Sequence, residues 1–104
     1  MRWAENLYTT EKTNKNLSRI MHKTYHQKLQ PGIWFIAIAS NEKNLLDIFH
    51  SIHYMQPLFQ KTNPDIVGVA ESEDAAKDLL IRITEDVYQK TGTFDVRSYF
   101  RFQE

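Results

Sequence analysis

Hydrophobic and polar residues alternate along the chain with two different periods, which predict different elements. Between residues 10 and 29 the apolar residues recur every three or four positions, as in an amphipathic helix. They are Leu17, Ile20, Met21, Tyr25 and Leu29. Pro31 and Gly32 follow and end the pattern. We therefore expect residues 1–30 to form a helical extension.

Two later segments, 33–39 and 66–70, are apolar throughout, which is typical of strands covered on both faces. Each precedes a polar residue and a helical pattern. Ser40 or Asn41 is expected to cap a helix that ends near Pro57, and Ser72 a helix that Gly92 ends. Two successive units, each a strand followed by a helix, predict parallel strands joined by a right-handed crossover. A shift of 31 residues aligns similar residues of the two units. The similarity reflects either a true duplication or the cap and small residues that any two βα units have in common.

The last segment, 94–102, alternates apolar and polar residues, which predicts a strand with one wet face. A short helix capped by Asp95 is the alternative. The expected fold is α/β, with a small, mainly parallel three-stranded sheet built from two βα units and a C-terminal strand. One domain is predicted over 1–104, with a βαβαβ core at 31–104 and an added N-terminal amphipathic helix.

Three short motifs carry a resemblance to other proteins. They are Asn44-Leu45-Leu46-Asp47-Ile48, Val67-Gly68-Val69-Ala70, and Val87-Tyr88-Gln89-Lys90-Thr91-Gly92 followed by Phe94-Asp95-Val96-Arg97. Through them the chain resembles small bacterial conserved hypothetical proteins. This resemblance implies a family but brings no activity.

Composition narrows the environment. The chain has no cysteine, which removes disulfides and thiolate chemistry and suits the cytoplasm. Its start lacks the apolar stretch of a secretory signal, and no apolar segment is long enough to cross a membrane. We therefore expect a cytoplasmic protein without membrane association.

Charge is unevenly distributed although the formal net charge is zero. Residues 1–30 carry six Lys or Arg against two acidic residues, whereas residues 31–104 carry seven against eleven. A basic patch of Lys12, Lys15, Arg19 and Lys23 is expected along one face of the first helix. Such a patch can contact nucleic-acid phosphates, although no nucleic-acid-binding motif accompanies it.

Candidate ligand-binding residues follow the two buried strands: Ser40, Asn41, Glu71 and Ser72. If the strands are parallel, their carboxyl ends share one edge of the sheet, where α/β proteins bind ligands. Glycines are not clustered there, and neighbouring carboxylates would repel phosphate, so a polar or cationic ligand or a basic partner is favoured. A purely structural role as helix caps explains the same residues.

No catalytic residue, metal site or cofactor is predicted. The histidine pairs 22/26 and 50/53 have ligand spacing, but nothing in the sequence brings the pairs together. The favoured function is an interaction or regulatory module that forms a homodimer, with Met55, Pro57, Leu58 and Phe59 as candidate contacts. The alternatives are a nucleic-acid-associated protein using the basic helix, or a small enzyme or metal protein using strand-end carboxylates or histidines. An enzyme is less favoured than a binding module.

Overall fold

The computed structural model describes residues 1–103 and contains strands and helices throughout that range. The strands are β1 (Arg2–Thr9), β2 (Trp34–Ile38), β3 (Leu46–His50), β4 (Asp65–Ala70) and β5 (Phe102–Gln103). The α-helices are α1 (Glu11–Lys15), α2 (Leu17–Tyr25), α3 (Pro57–Gln60), α4 (Glu73–Thr91) and α5 (Val96–Tyr99). A 3₁₀ helix spans Ser51–Met55.

The strands form one five-stranded mixed sheet in the order β3-β2-β4-β1-β5. Among the strands of residues 1–103, only β1 and β4 are parallel neighbours, and the other three pairs are antiparallel. The α/β class is confirmed, but the mainly parallel three-stranded sheet is wrong. A short connection returns the chain from β2 as a hairpin, so no crossover helix follows that strand.

Strand β3 replaces the helix expected after Ser40 or Asn41. The Asn41 side-chain Oδ1 accepts hydrogen bonds from the backbone N–H groups of Lys43 and Asn44, both at 3.0 Å, which reverses the chain. Ile48 then pairs with Ile36 across the hairpin. Because β2 precedes a strand and β4 precedes a helix, the internal sequence similarity does not correspond to a structural repeat.

The prediction of a helical extension over residues 1–30 is wrong for its first part and for a single continuous helix. Residues 2–9 form a strand beside β4, and the helical pattern after it is divided at Asn16 into α1 and α2. Trp3 packs edge-on against Phe35, with ring centroids 5.9 Å apart, and joins the apolar cluster on that face of the sheet. The first strand thus belongs to the core and does not precede it.

Other predictions fared better. Ser72 caps α4 by accepting a hydrogen bond from the Ala75 N–H at 3.0 Å, and Gly92 ends it at a φ of 74°. The alternative for the C-terminal segment is confirmed over Val96–Tyr99, which is helical with Asp95 as its cap. Pro57 starts α3 and does not end a longer helix.

Helices cover both faces of the sheet. Helix α4 lies on one face, where Ile83 and Val87 pack with Ile36 and Val67. On the other face, Ile20 of α2 joins a buried cluster with neighbours from the 3₁₀ helix and α3. We call the end of the sheet where β1, β3 and β4 finish the upper end, and the end where β2 finishes the lower end.

Candidate functional site

The four predicted ligand-binding residues do not share one site. Because β2 runs antiparallel to β4, Ser40 and Asn41 lie at the lower end, whereas Glu71 and Ser72 lie at the upper end. The expectation of one common edge depended on parallel strands and is wrong. The two ends of the sheet therefore form separate candidate sites.

At the upper end, Glu71 is joined to the start of α1. The Thr10 hydroxyl donates a hydrogen bond to the Glu71 carboxylate, and Thr10 also caps α1. The Thr13 side chain, only 1% exposed, donates to the Val69 carbonyl at 2.9 Å. These bonds hold the start of α1 against the end of β4. Ser72, in contrast, serves as a helix cap.

A concave region at this end has a volume of about 210 Å³ and is called the basic pocket. Its charged lining residues are Lys12, Arg19, Lys23 and Glu71. Three residues of the predicted basic patch thus converge with one predicted ligand-binding residue. Lys15 does not line the pocket, and its ammonium lies 3.6 Å from Glu11.

The floor of the basic pocket includes Gln30, which the sequence patterns did not suggest. Gln30 is buried, and its amide nitrogen donates to the Thr24 hydroxyl at 2.9 Å. Its backbone carbonyl accepts the Ser51 hydroxyl at 2.6 Å. A lone glutamine before Pro31 carries no periodic signal, so only the folded chain identifies it.

A larger cavity of about 550 Å³ lies at the lower end, and its lining includes Ser40, Asp47, Asp65 and Arg97. Its size is in the range of small-molecule sites. However, Asp65 is paired with Arg2 at 2.7 Å, and Asp47 accepts the Ser40 N–H at 3.3 Å. Arg97 donates to the Ala39 carbonyl at 2.9 Å. Each of these charged side chains thus already has a protein partner, whereas Lys12, Arg19 and Lys23 of the basic pocket are in none of the ion pairs among residues 1–103.

The histidines have local partners. The rings of His22 and His26 lie 4.3 Å apart, and the His50 ring packs edge-on against Trp34 at 5.1 Å. Backbone N–H groups of Gly32 and Ile52 lie 3.1 Å from the two ring nitrogens of His50, of which a neutral imidazole accepts one at a time. Among residues 1–103, no group of three or more His, Asp or Glu side chains is placed to hold a metal ion.

A third polar cluster, missed by the sequence analysis, joins Tyr8, Asp86 and Tyr99. The Tyr8 hydroxyl donates to Asp86 at 2.7 Å and lies 3.1 Å from the Tyr99 hydroxyl. Burial, then the hydrogen bonds to Tyr99 and Asp86, raise the pKa of Tyr8. The tyrosine therefore stays a neutral donor near neutral pH, as a structural link between β1 and α4.

Comparisons with known proteins found no matching family model, no matching curated protein and no matching solved structure. The resemblance to small bacterial proteins thus stays a prediction. Within residues 1–103, no helix is long and apolar enough to cross a membrane.

Proposed function

We propose that this chain is an interaction module that forms a homodimer through the open edge of β3. The observation that carries the proposal is the position of β3 at the end of the strand order, with β2 as its only strand neighbour among residues 1–103. An edge strand presents unpaired backbone donors and acceptors, which can pair with a strand of another chain.

The hairpin register defines which backbone groups face outward. The Ala39 N–H donates to the Leu45 carbonyl at 3.2 Å, and the Ser51 N–H donates to the Ile33 carbonyl at 2.9 Å. Since antiparallel partners alternate between bonded and non-bonded pairs, Asp47 and Phe49 direct their backbone groups toward β2. Leu46, Ile48 and His50 therefore direct theirs away from the sheet.

The outward-facing backbone groups of Leu46, Ile48 and His50 can pair with the same groups of a second copy. If two copies approach about a two-fold axis through Ile48, Ile48 pairs with its own copy and Leu46 pairs with the other chain's His50. Every one of these residues presents an outward N–H and carbonyl, so each pair forms two hydrogen bonds. The product is a continuous ten-stranded sheet.

Apolar side chains next to β3 support the same proposal. Leu45 is 41% exposed just before the strand, and Ile52 is 46% exposed just after it. Natural edge strands are often protected by charged side chains, especially lysine, by proline or by a bulge. Strand β3 contains no lysine, proline or bulge, and its one carboxylate, Asp47, accepts the Ser40 N–H at 3.3 Å. Of the contacts suggested by the sequence, Met55 and Leu58 are exposed, whereas Phe59 packs against Phe49 at 4.8 Å.

The experiment measures mass by gel filtration with light scattering over a range of protein concentrations. Wild type is expected to be a dimer, and the double variant Leu45→Lys, Ile52→Lys a monomer, because charge at both ends of β3 opposes pairing. Ile81→Lys is the matched control, since Ile81 is also exposed but lies on α4, and it should stay dimeric. A monomeric wild type, or a double variant that stays dimeric while folded by circular dichroism, would overturn the proposal.

Two further observations bear on the activity and the location of the proposed homodimer. In the larger cavity, Asp47, Asp65 and Arg97 already have protein partners, which leaves them little freedom for catalysis. The lack of cysteine favours a reducing compartment, so we place the dimer in the cytoplasm.

A further inference from the structure

We infer that the basic pocket binds a small anion of the size and charge of phosphate or a phosphate monoester. This site is separate from β3, so it neither requires nor excludes the proposed dimer. Its lining combines three cationic side chains, Lys12, Arg19 and Lys23, with the buried amide side chain of Gln30.

Within the described part of the chain, the cations of this pocket form no ion pair. The ion pairs among residues 1–103 are Arg2–Asp65, Lys15–Glu11 and Lys77–Glu73, and none of them includes Lys12, Arg19 or Lys23. Arg19 and Lys23 are four residues apart on α2, which carries no acidic residue. Like charges at this spacing destabilise a helix, and an anion between them removes the repulsion.

Glu71 adds selectivity without cancelling the charge. Its carboxylate is oriented by the hydrogen bond from Thr10, and it leaves the pocket with an excess of two positive charges. A hydrogen-bond acceptor at the wall favours an anion that also carries a donor, such as the hydroxyl of a monoester or of monohydrogen phosphate.

The shape favours a small ligand over a nucleic acid. The cations line a concavity of about 210 Å³ and do not extend over a long basic surface. Lys15, which would lengthen the patch along the helix, is paired with Glu11. Since a duplex requires cations spaced along its backbone, the pocket is suited to a single phosphate group.

Binding can be measured by amide chemical shifts on titration with sodium phosphate, with sodium chloride at equal ionic strength as the salt control. We expect saturable shifts at Thr13 and Ile33, beside the pocket, with a Kd on the order of 1 mM. Asp65, at the lower end, should not move. Glycerol phosphate should bind at least as tightly as phosphate if Glu71 contacts a ligand hydroxyl.

Single substitutions distinguish a specific phosphate-binding site from nonspecific electrostatic attraction of phosphate to a basic surface. Arg19→Gln and Lys23→Gln should each weaken phosphate binding about tenfold, because a charge-assisted hydrogen bond is lost. Lys15→Gln removes an equal charge outside the pocket and should change the Kd less than twofold. Equal weakening by Lys15→Gln, shifts reproduced by chloride, or preferential binding of a short DNA duplex would each overturn the inference. None of these results depends on whether the chain is a dimer.

Discussion

The hydroxyl of Tyr8 donates a hydrogen bond of 2.7 Å to the carboxylate of Asp86, joining β1 to α4 across 78 positions of sequence. The Arg82 guanidinium carbon lies 5.6 Å from the Tyr8 ring centroid, and the Phe100 ring packs edge-on against the same ring at 5.9 Å. One tyrosine thus connects the sheet, the long helix and the C-terminal segment.

Removing this hydroxyl is expected to destabilise the fold. Tyr8→Phe should lower the free energy of unfolding by about 1–2 kcal/mol, because Asp86 loses its donor in a partly buried position. Urea denaturation measures the change. Tyr25→Phe is the control, since Tyr25 is 83% exposed, and it should leave stability nearly unaltered. Equal stability of the two variants would contradict a structural role for the Tyr8 hydroxyl.

The same cluster predicts a loss of stability in alkali. Burial, the Tyr99 contact and Asp86 raise the pKa of Tyr8, so the folded chain holds this proton more tightly than the unfolded chain, where tyrosine titrates near pH 10. Its contribution is therefore complete below about pH 10 and declines as the pH rises above that value. Burial also raises the pKa of Tyr54, which adds to the decline.

Urea denaturation at several pH values between about 9 and 11 tests this prediction. The free energy of unfolding should fall less steeply with pH in Tyr8→Phe than in wild type. Tyr25→Phe should retain the wild-type slope. If Tyr8→Phe has that slope as well, Tyr8 does not contribute to the alkaline transition.

Sequence patterns predicted the elements whose signals are local. Helix α4 has a capping serine, an apolar stripe and a terminal glycine, and all three act where expected. A helix was wrongly predicted at β3 because the spacing of Leu45, Ile48 and Phe49 is compatible with a helix as well as with a strand. Pairing with β2 decides between the two structures. Strand β1 was not predicted because the residues that stabilise it, such as Asp65, the partner of Arg2, are distant in sequence.

The candidate sites show the same division. The spacing of Lys12, Arg19 and Lys23 along the sequence is sufficient to predict a basic patch. Their convergence with Glu71 and Gln30 depends on how β1, α1 and β4 pack, which no local period encodes. The prediction that Ser40 lies beside Glu71 depended on β2 being parallel to β4, and it is wrong because the two strands are antiparallel.

Gly68 is predicted to be essential for packing between the sheet and α4. A Cβ at this position would lie 3.0 Å from Ile36 Cδ1 and 3.4 Å from Leu79 Cδ2. Gly68→Ala should therefore destabilise the protein by about 1–3 kcal/mol through overpacking, as measured by urea denaturation.

A double variant separates overpacking from other effects of Gly68→Ala. Ile36→Val removes the crowded Cδ1 atom, so adding it to Gly68→Ala should cost less than the sum of the two single changes. Additive costs would show that the clash with the Ile36 Cδ1 atom is not the cause, and they would not test the Ile36 Cβ, 3.3 Å from the added Cβ, because it is retained in valine. Gly92→Ala differs in mechanism, since no atom lies within 4 Å and only the positive φ opposes it.

The buried hydroxyl of Thr13 should stabilise the upper end of the sheet. It donates to the Val69 carbonyl at 2.9 Å and accepts the Thr10 N–H at 3.0 Å, so it links the cap of α1 to β4. Thr13→Val keeps the shape of the side chain but leaves both backbone groups without this partner. We expect a loss of about 1–3 kcal/mol in the free energy of unfolding. Thr84→Val is the matched control, because the Thr84 hydroxyl bonds only the Leu80 carbonyl of its own helix. A similar, small effect of both changes would show that neither the capping contact nor the link to β4 made by the Thr13 hydroxyl stabilises the fold appreciably.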